Sequence, residues 1–175
     1  MKVIDTDISE VKIIKPDVYK DKRGCFYESY NYKKFKIFND VIFKQDNESI
    51  SKYGVLRGLH FQKHPYGQVK LVRVVKGIIQ DVAVDIRPES KTYKKYVSIE
   101  LSDINKYQLF IPDGFAHGYL VLSDEAIVSY KVNAFYNKEF DSGYKYNDPS
   151  INIKWNIDEA NIILSNKDKN LPFII

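Results

Sequence analysis

Between residues 68 and 132 apolar and polar positions take turns in short runs, each ended by a turn residue. Val69, Leu71, Val72, Val74 and Val75 predict a strand over residues 68–75. Lys76-Gly77 reads as a turn. Residues 78–86 form the next run, in which Val82, Val84 and Ile86 alternate with Asp81, Ala83 and Asp85. Runs at 96–101, 107–111, 118–122 and 126–132 complete the series. Short strands at roughly ten-residue spacing predict an all-β sandwich or jelly-roll barrel. Helical periodicity is confined to residues 31–38 and a short piece near 158–162. No repeat, linker or composition break interrupts the pattern, so residues 1–175 are expected to form one domain.

Composition narrows the class. Hydrophobic residues make up 44% of the 175, with 14 tyrosines and 10 phenylalanines, enough for a sizeable core and too much for a disordered chain. No apolar run reaches the length of a membrane span. The first ten residues carry Asp5, Asp7 and Glu10 and lack the apolar core of a signal peptide. A single cysteine, Cys25, rules out an internal disulfide framework and Cys-based zinc sites. Together these predict a cytoplasmic protein. The net charge of +4 arises from 27 basic and 23 acidic residues that are interleaved along most of the chain. That describes a solvated lysine-rich surface, not the basic stripe that nucleic-acid binding needs. It is compatible with an anionic small molecule.

Two of the three histidines stand in unusual surroundings. His60 lies in Arg57-Gly58-Leu59-His60-Phe61-Gln62, and His117 in Pro112-Asp113-Gly114-Phe115-Ala116-His117-Gly118. Each segment joins an apolar strand-like stretch to glycines, a setting in which a lone histidine is more often structural than catalytic. His64, between Lys63 and Pro65, reads as an exposed loop residue. The Pro-x-Gly-x-x-His segment resembles the second signature of the cupin superfamily of jelly rolls. The first cupin signature supplies metal ligands through a His-x-His pair and a glutamate seven positions before a glycine. Here the corresponding residues are His60, Gln62 and Lys70, the last preceding Gly77 by seven positions. With His117 added, the set contains an ammonium, which repels a divalent cation and has no lone pair when protonated. The expectation is therefore a site without metal, adapted to stabilise a developing negative charge.

A longer ordered pattern is more specific. Asp21-Lys22-Arg23-Gly24-Cys25-Phe26-Tyr27-Glu28, Gln45-Asp46-Asn47-Glu48-Ser49 and the His60 segment come first. Gln68-Val69-Lys70-Leu71-Val72, Asp81-Val82-Ala83-Val84-Asp85-Ile86-Arg87 and the His117 segment follow. Tyr130-Lys131, Asn147-Asp148-Pro149 and Leu164-Ser165-Asn166-Lys167-Asp168 close it. Across nearly the whole chain this resembles the dTDP-4-dehydrorhamnose 3,5-epimerase family. The resemblance implies a homodimeric, cofactor-independent jelly roll acting on a nucleotide-diphospho-4-keto-6-deoxy sugar. It implies that His60 is the base and Asp168 its carboxylate partner, with Tyr130 as the acid on the opposite ring face and Lys70 near the keto oxygen. Arg57 and Arg23 would bind the diphosphate. Phe26, Glu28, Gln45, Asn47 and Phe135 would surround the nucleotide, some across the dimer, and His117 would contact substrate.

The chemistry fits these residue types. C3 and C5 both flank the C4 carbonyl, so removing either hydrogen gives an enolate on O4. Imidazole, with an unperturbed pKa of about 6.5, suits the base. A carboxylate fixes its tautomer, and an ammonium stabilises the enolate oxygen. Inversion then needs a proton donor on the other face, which a phenol supplies. Guanidinium groups pair with phosphate oxygens. Cys25 stands where a larger apolar residue is expected, and Phe135 where tyrosine or tryptophan is usual, which leaves the base of the nucleotide open. Four further readings stay open: epimerisation at C3 alone, epimerisation of a GDP-linked 4-keto heptose, a sugar 3,4-ketoisomerase, and a non-catalytic or metal-binding cupin using His60 and His117. An exposed N-terminal strand pairing between subunits would provide a route to the dimer.

Overall fold

The computed structural model describes residues 1–38 and 40–174. The chain runs through thirteen strands: β1 Lys2–Asp5, β2 Lys12–Lys15, β3 Tyr19–Asp21, β4 Gly24–Phe26, β5 Gln45–Lys52, β6 Leu56–Gln62, β7 Lys70–Lys76, β8 Ile78–Asp85, β9 Tyr96–Ser102, β10 Gln108–Ile111, β11 Phe115–Val121, β12 Glu125–Val132 and β13 Asp141–Gly143. Helix α1 spans Tyr32–Phe35 and α2 spans Asn166–Lys169. Six strands form one sheet in the order β1-β2-β10-β7-β12-β5, and five form a second in the order β13-β6-β11-β8-β9. A separate two-stranded hairpin is made by β3 and β4. Every strand pair in these sheets is antiparallel. The all-β jelly-roll sandwich expected from the alternation is what the chain adopts.

Three apolar layers hold it together. Between the sheets, Val72 and Val74 of β7 meet Ile79, Leu101, Tyr119, Val121 and Val128. Outside the five-stranded sheet, Leu59, Val82, Val84 and Ala116 pack under the C-terminal residues Ile151, Ile153 and Ile174. Outside the six-stranded sheet, Ile14, Leu71 and Phe110 lie under Phe35 and Phe38. With covers on both outer faces, a strand in mid-sheet is apolar on both sides. That explains why β8 is buried at seven of its eight positions, Asp81 and Asp85 included. Asp85 survives there because Arg87, Ser90 and Thr92 all donate to its carboxylate.

The expected strands are present with shifted ends. Residues 68 and 69 precede β7, β11 begins at Phe115 instead of 118, and Lys76 closes β7, leaving Gly77 to make the turn into β8. The helical expectation over 31–38 shrinks to α1, capped by the Asn31 side chain accepting from the Lys33 backbone N–H at 3.1 Å. The piece near 158–162 is a single 3-10 turn, Glu159–Asn161. Four residues cannot sustain a 3.6 period, and the following turns close over Phe38 because that ring stacks on Phe110 with centroids 4.3 Å apart.

At Gly77 φ is +87°, and a Cβ there would stand 2.2 Å from the Glu125 carbonyl oxygen. Gly77→Ala is expected to cost about 2 kcal/mol from strain and crowding. Chemical denaturation with an unchanged m-value would measure it.

Candidate active site

One end of the sandwich is not filled by apolar side chains. The inward positions of β5 are Gln45, Asn47, Ser49 and Ser51, polar throughout, and at this end they face a cleft of about 780 Å³ between the sheets. The two histidines meet there because His117 on β11 is the direct cross-strand partner of His60 on β6. Tyr130 on β12 enters from the opposite sheet, paired with Asn47 on one side and Val72 on the other. Lys70, at the start of β7, is opposite Val132 and so points the same way as Val72 and Tyr130. His60, Lys70, His117, Tyr130, Arg57 and Asn47 all line this one cleft, and so does Asp168.

Both histidines bond a carboxylate through Nε2, with different consequences. His60 Nε2 lies 2.5 Å from Asp168 Oδ1, and the imidazole keeps 31% of its surface exposed to the cleft. Asp168 is buried on α2, where the Ser165 hydroxyl accepts its backbone N–H at 3.0 Å. Burial pushes the Asp168 carboxyl up, but His60, the Ser165 hydroxyl and Lys167 together outweigh this and hold it below the usual carboxylate range. His117 Nε2 lies 2.8 Å from Asp81 Oδ1, with the imidazole 6% exposed and Asp81 fully covered. Burial depresses the His117 pKa against the pull of Asp81, so this ring stays neutral. The pair at His60 is open to the cleft, whereas the pair at His117 is almost wholly buried in its wall.

Lys70 is buried, and its Nζ donates to the His60 carbonyl oxygen at 3.3 Å. Burial lowers its pKa to about 8 while Asp81 and Asp141 hold it up. The ammonium is therefore charged at neutral pH but only poorly compensated. Burial likewise raises the Tyr130 phenol, with Tyr119 adding to the effect, so it keeps its proton at neutral pH. Arg57 donates from Nε to Ser51 Oγ at 3.0 Å, which leaves its terminal nitrogens uncommitted among the described residues.

Gln62 has another task. Its Nε2 donates to the Tyr66 and Phe135 carbonyls, and its Oε1 accepts the Asn137 N–H at 2.6 Å, so it ties down the loop after β12. Among the described residues no group of three or more His, Cys, Asp or Glu side chains is placed to hold a metal ion. With Gln62 committed to backbone and Lys70 an ammonium, the four cupin positions are a poor donor set for a divalent cation.

The remaining sequence candidates fall outside the cleft. Gln45 buttresses it, donating to Asn47 Oδ1 at 2.9 Å and accepting the Tyr136 N–H at 3.1 Å. Phe135 is 65% exposed at the rim. Arg23 and Phe26 sit on the β3–β4 hairpin, Arg23 bonded to Asp21 and Phe26 turned to solvent. Glu28 pairs with Lys34 and Asn31. None of these three lines this cleft within the chain. His64 is exposed, as expected. Two carboxylates escaped the sequence reading of the site. Asp81 looked like one polar position in an alternating strand. Asp141 lines the cleft, accepting from Lys167 at 2.5 Å and from the Tyr136 hydroxyl at 3.0 Å, and stands in a segment without periodicity.

Fold and cleft together define a cupin-type jelly roll with the acid–base equipment of an isomerase. Residues 5–174 match the family model described as dTDP-4-dehydrorhamnose 3,5-epimerase. The chain is 53% identical over 172 residues to the dTDP-4-dehydrorhamnose 3,5-epimerase of Shigella flexneri, covering 97% of this chain and 94% of that one. The crystal structure of the enzyme of that name from Elizabethkingia anophelis NUHP1 superposes with a TM-score of 0.94 at 50% identity, covering 99% of this chain and 96% of its own. A dTDP-6-deoxy-D-glucose-3,5-epimerase from Legionella pneumophila Philadelphia 1, solved in complex with dTDP-4-keto-L-rhamnose, gives 0.95 at 44% identity, with 99% and 92% covered. The chain belongs to the dTDP-4-dehydrorhamnose 3,5-epimerase family, and it is a nucleotide-sugar epimerase.

Asp168→Asn removes the charge that receives the His60 bond. Because the folded-state pKa of Asp168 is depressed, its stabilising contribution is complete above the unfolded carboxylate pKa and is lost as pH falls through the folded value. The variant is expected to be about 1–3 kcal/mol less stable at pH 7, with the gap closing below pH ~4. Urea melts at pH 7 and pH 3 would show it; a gap of equal size at both would contradict it.

Proposed function

We propose that the substrate is a dTDP-linked 4-keto-6-deoxy sugar and that the enzyme inverts it at both C3 and C5. The observation that carries this reading is that His60 and Tyr130 enter one cleft from opposite sheets, with Lys70 buried between the same walls. A sugar ring held there offers one face to the imidazole and the other to the phenol. His60, oriented by Asp168, takes the hydrogen from the carbon beside the ketone, and the electron pair moves onto O4. Lys70 stabilises the enolate oxygen. Tyr130 then delivers a proton to the opposite face, and the ketone re-forms with the centre inverted. Repeating the cycle at the other flanking carbon gives the double epimer. No oxidant, reductant or metal is consumed.

The solved relative that holds dTDP-4-keto-L-rhamnose supports the dTDP assignment. Arg57, with free terminal nitrogens at the cleft, is the diphosphate ligand. His117 and Asn47 contact substrate from the cleft walls. Nucleotide sugars are cytoplasmic metabolites, which fits the absence, among the described residues, of a helix able to cross a membrane.

The working form is a homodimer. Arg23 and Phe26 extend on a hairpin away from their own cleft, with side chains 84% and 69% exposed respectively. A basic and an aromatic residue turned outward together suit the diphosphate and the nucleoside of a substrate held by the second subunit. Glu28 and Phe135 complete that nucleotide surround, alongside Gln45.

In heavy water, dTDP-4-keto-6-deoxyglucose is expected to acquire deuterium at C3 and C5. Incorporation at C3 alone would reduce the activity to mono-epimerisation. No incorporation, with exchange of a GDP-4-keto heptose instead, would overturn the substrate. His60→Ala should cut exchange at both carbons by about 10³-fold, and Tyr130→Phe should slow inversion by about 10²-fold while leaving more of the base-side exchange. Equal loss of both reactions in Tyr130→Phe would remove the phenol from the acid role.

For the dimer, light scattering should give twice the chain mass. Arg23→Ala and His60→Ala homodimers, each weak alone, should regain activity when dissociated and re-formed together, because every mixed dimer then holds one intact site. A monomer, or no regain, would remove the shared site.

A further inference from the structure

Asp81 has no part in the chemistry derived so far, yet it is among the most expensive residues in the protein. Its side chain is wholly buried in the middle of β8, and among the described residues its Oδ2 accepts no hydrogen bond. A buried carboxylate with a spare oxygen is strongly destabilising unless a cation faces it. Its one bonded partner, His117, is held neutral by burial and so does not supply that charge. A neutral ring bonding Asp81 through Nε2 carries its proton there, which leaves Nδ1 as an acceptor.

The cation is Lys70. Its cleft is shared by Asp46 and Glu48 on β5, Arg57 and His60 on β6, His117 on β11, Tyr130 on β12, Asp141 on β13 and Lys167 and Asp168 on α2, and the charges of Asp81 on β8 and Asp141 act on it. Of these carboxylates, Asp168 is bonded to His60, and Asp141 is paired with Lys167 and with the Tyr136 hydroxyl. Only Asp81 keeps a buried oxygen without a hydrogen-bond partner among the described residues. Asp81 also contributes more than Asp141 to keeping the Lys70 proton in place.

We propose that Asp81 is a positioning residue for the epimerisation: its sealed carboxylate keeps Lys70 an ammonium inside the sandwich and fixes the tautomer of the neutral His117 with its Nε2–H turned inward. Lys70 touches the reacting oxygen, and Asp81 acts through it. This arrangement rests on the role given to Lys70 above. It explains why a carboxylate persists at a strand centre where valine and alanine are its neighbours. It also explains why the two histidine–carboxylate pairs, adjacent in one ladder, behave differently: one works on the substrate and the other conditions the field around it.

The test is the pH dependence of kcat/KM in wild type, Lys70→Met, Asp81→Asn and Asp81→Glu. Wild type is expected to lose activity as pH rises through about 8, where the Lys70 ammonium deprotonates, and this limb should be absent from the residual activity of Lys70→Met. In Asp81→Asn the limb should move down by about one pH unit, making the variant about five-fold slower than wild type at pH 8 and close to parity near pH 6. Asp81→Glu, which keeps the charge, should hold the limb within about half a unit of wild type. If Asp81→Asn does not fold, Asp81→Ser should move the limb the same way. A limb that survives in Lys70→Met would overturn the role of Lys70, and this inference with it. A limb that needs Lys70 but is unmoved in the neutral variants, or a loss of the same factor at every pH, would overturn the role of Asp81 alone.

Discussion

The β6–β11 ladder fixes where everything else in the cleft must stand. Gly58 and Gly118 bring the two backbones so close that a Cβ on Gly58 would lie 2.5 Å from the Gly118 Cα. The register shifts between His117 and Tyr119, at this same contact. Below it His60 and His117 are direct partners, and above it Arg57 faces Tyr119. Any side chain in the pinch would separate the strands and with them the two imidazoles. β11 then hands this register to β8 through an unbroken ladder that pairs His117 with Ala83 and Tyr119 with Asp81, which is how Asp81 comes within reach of His117 on the diagonal. The site is thus positioned by backbone pairing in mid-sheet, where little freedom remains, and not by loops.

That rigidity has an energetic counterpart. A sandwich core of this size would be more stable with apolar side chains at Lys70, Asp81 and His117, since buried ionic groups repay their desolvation poorly. The stability lost there is offset by the three apolar layers, one between the sheets and one on the outer side of each. The α1 segment and the C-terminal segment matter for this reason. By sealing the outer faces they lower the dielectric around the ammonium, which in the proposed mechanism strengthens its attraction for a forming enolate.

What could be read from the chain followed the physics of periodicity. β7 and β8 were legible because Val72, Val74, Ile79 and Val82 alternate or cluster as core strands do. β5 was invisible as a strand for the reason that makes it useful: its inward residues Gln45, Asn47, Ser49 and Ser51 line or buttress a cleft, so no apolar alternation exists. α2 is a single turn, too short for a helical period, although Ser165 followed three residues later by Asp168 is a capping signal that marks its start. The ordered motifs led to His60, Lys70, Tyr130 and Asp168, which the fold brings to one cleft from residues up to 108 positions apart. They also led to Arg23, Phe26 and Glu28, which do not line that cleft within the chain.

The cupin comparison shows how one scaffold can change its chemistry without changing its shape. At the two positions where a metal-binding relative needs lone pairs, this chain has Lys70, which brings a proton, and Gln62, whose polar atoms are spent on the backbone of the loops after β6 and β12. A positive charge remains at the centre of the barrel, but it is carried by the chain itself and can be tuned by its neighbours. A bound ion holds a fixed charge across the pH range in which it stays bound. An ammonium buried to a pKa of about 8 sits near its switching point, so the carboxylates around it decide how much of it is charged. Replacing a metal by a lysine therefore transfers control of the electrophile to second-neighbour residues. The sequence signature of the metal site was lost at Lys70 and Gln62, but the demand for buried negative charge beside the cation was not, and Asp81 is where this fold meets it.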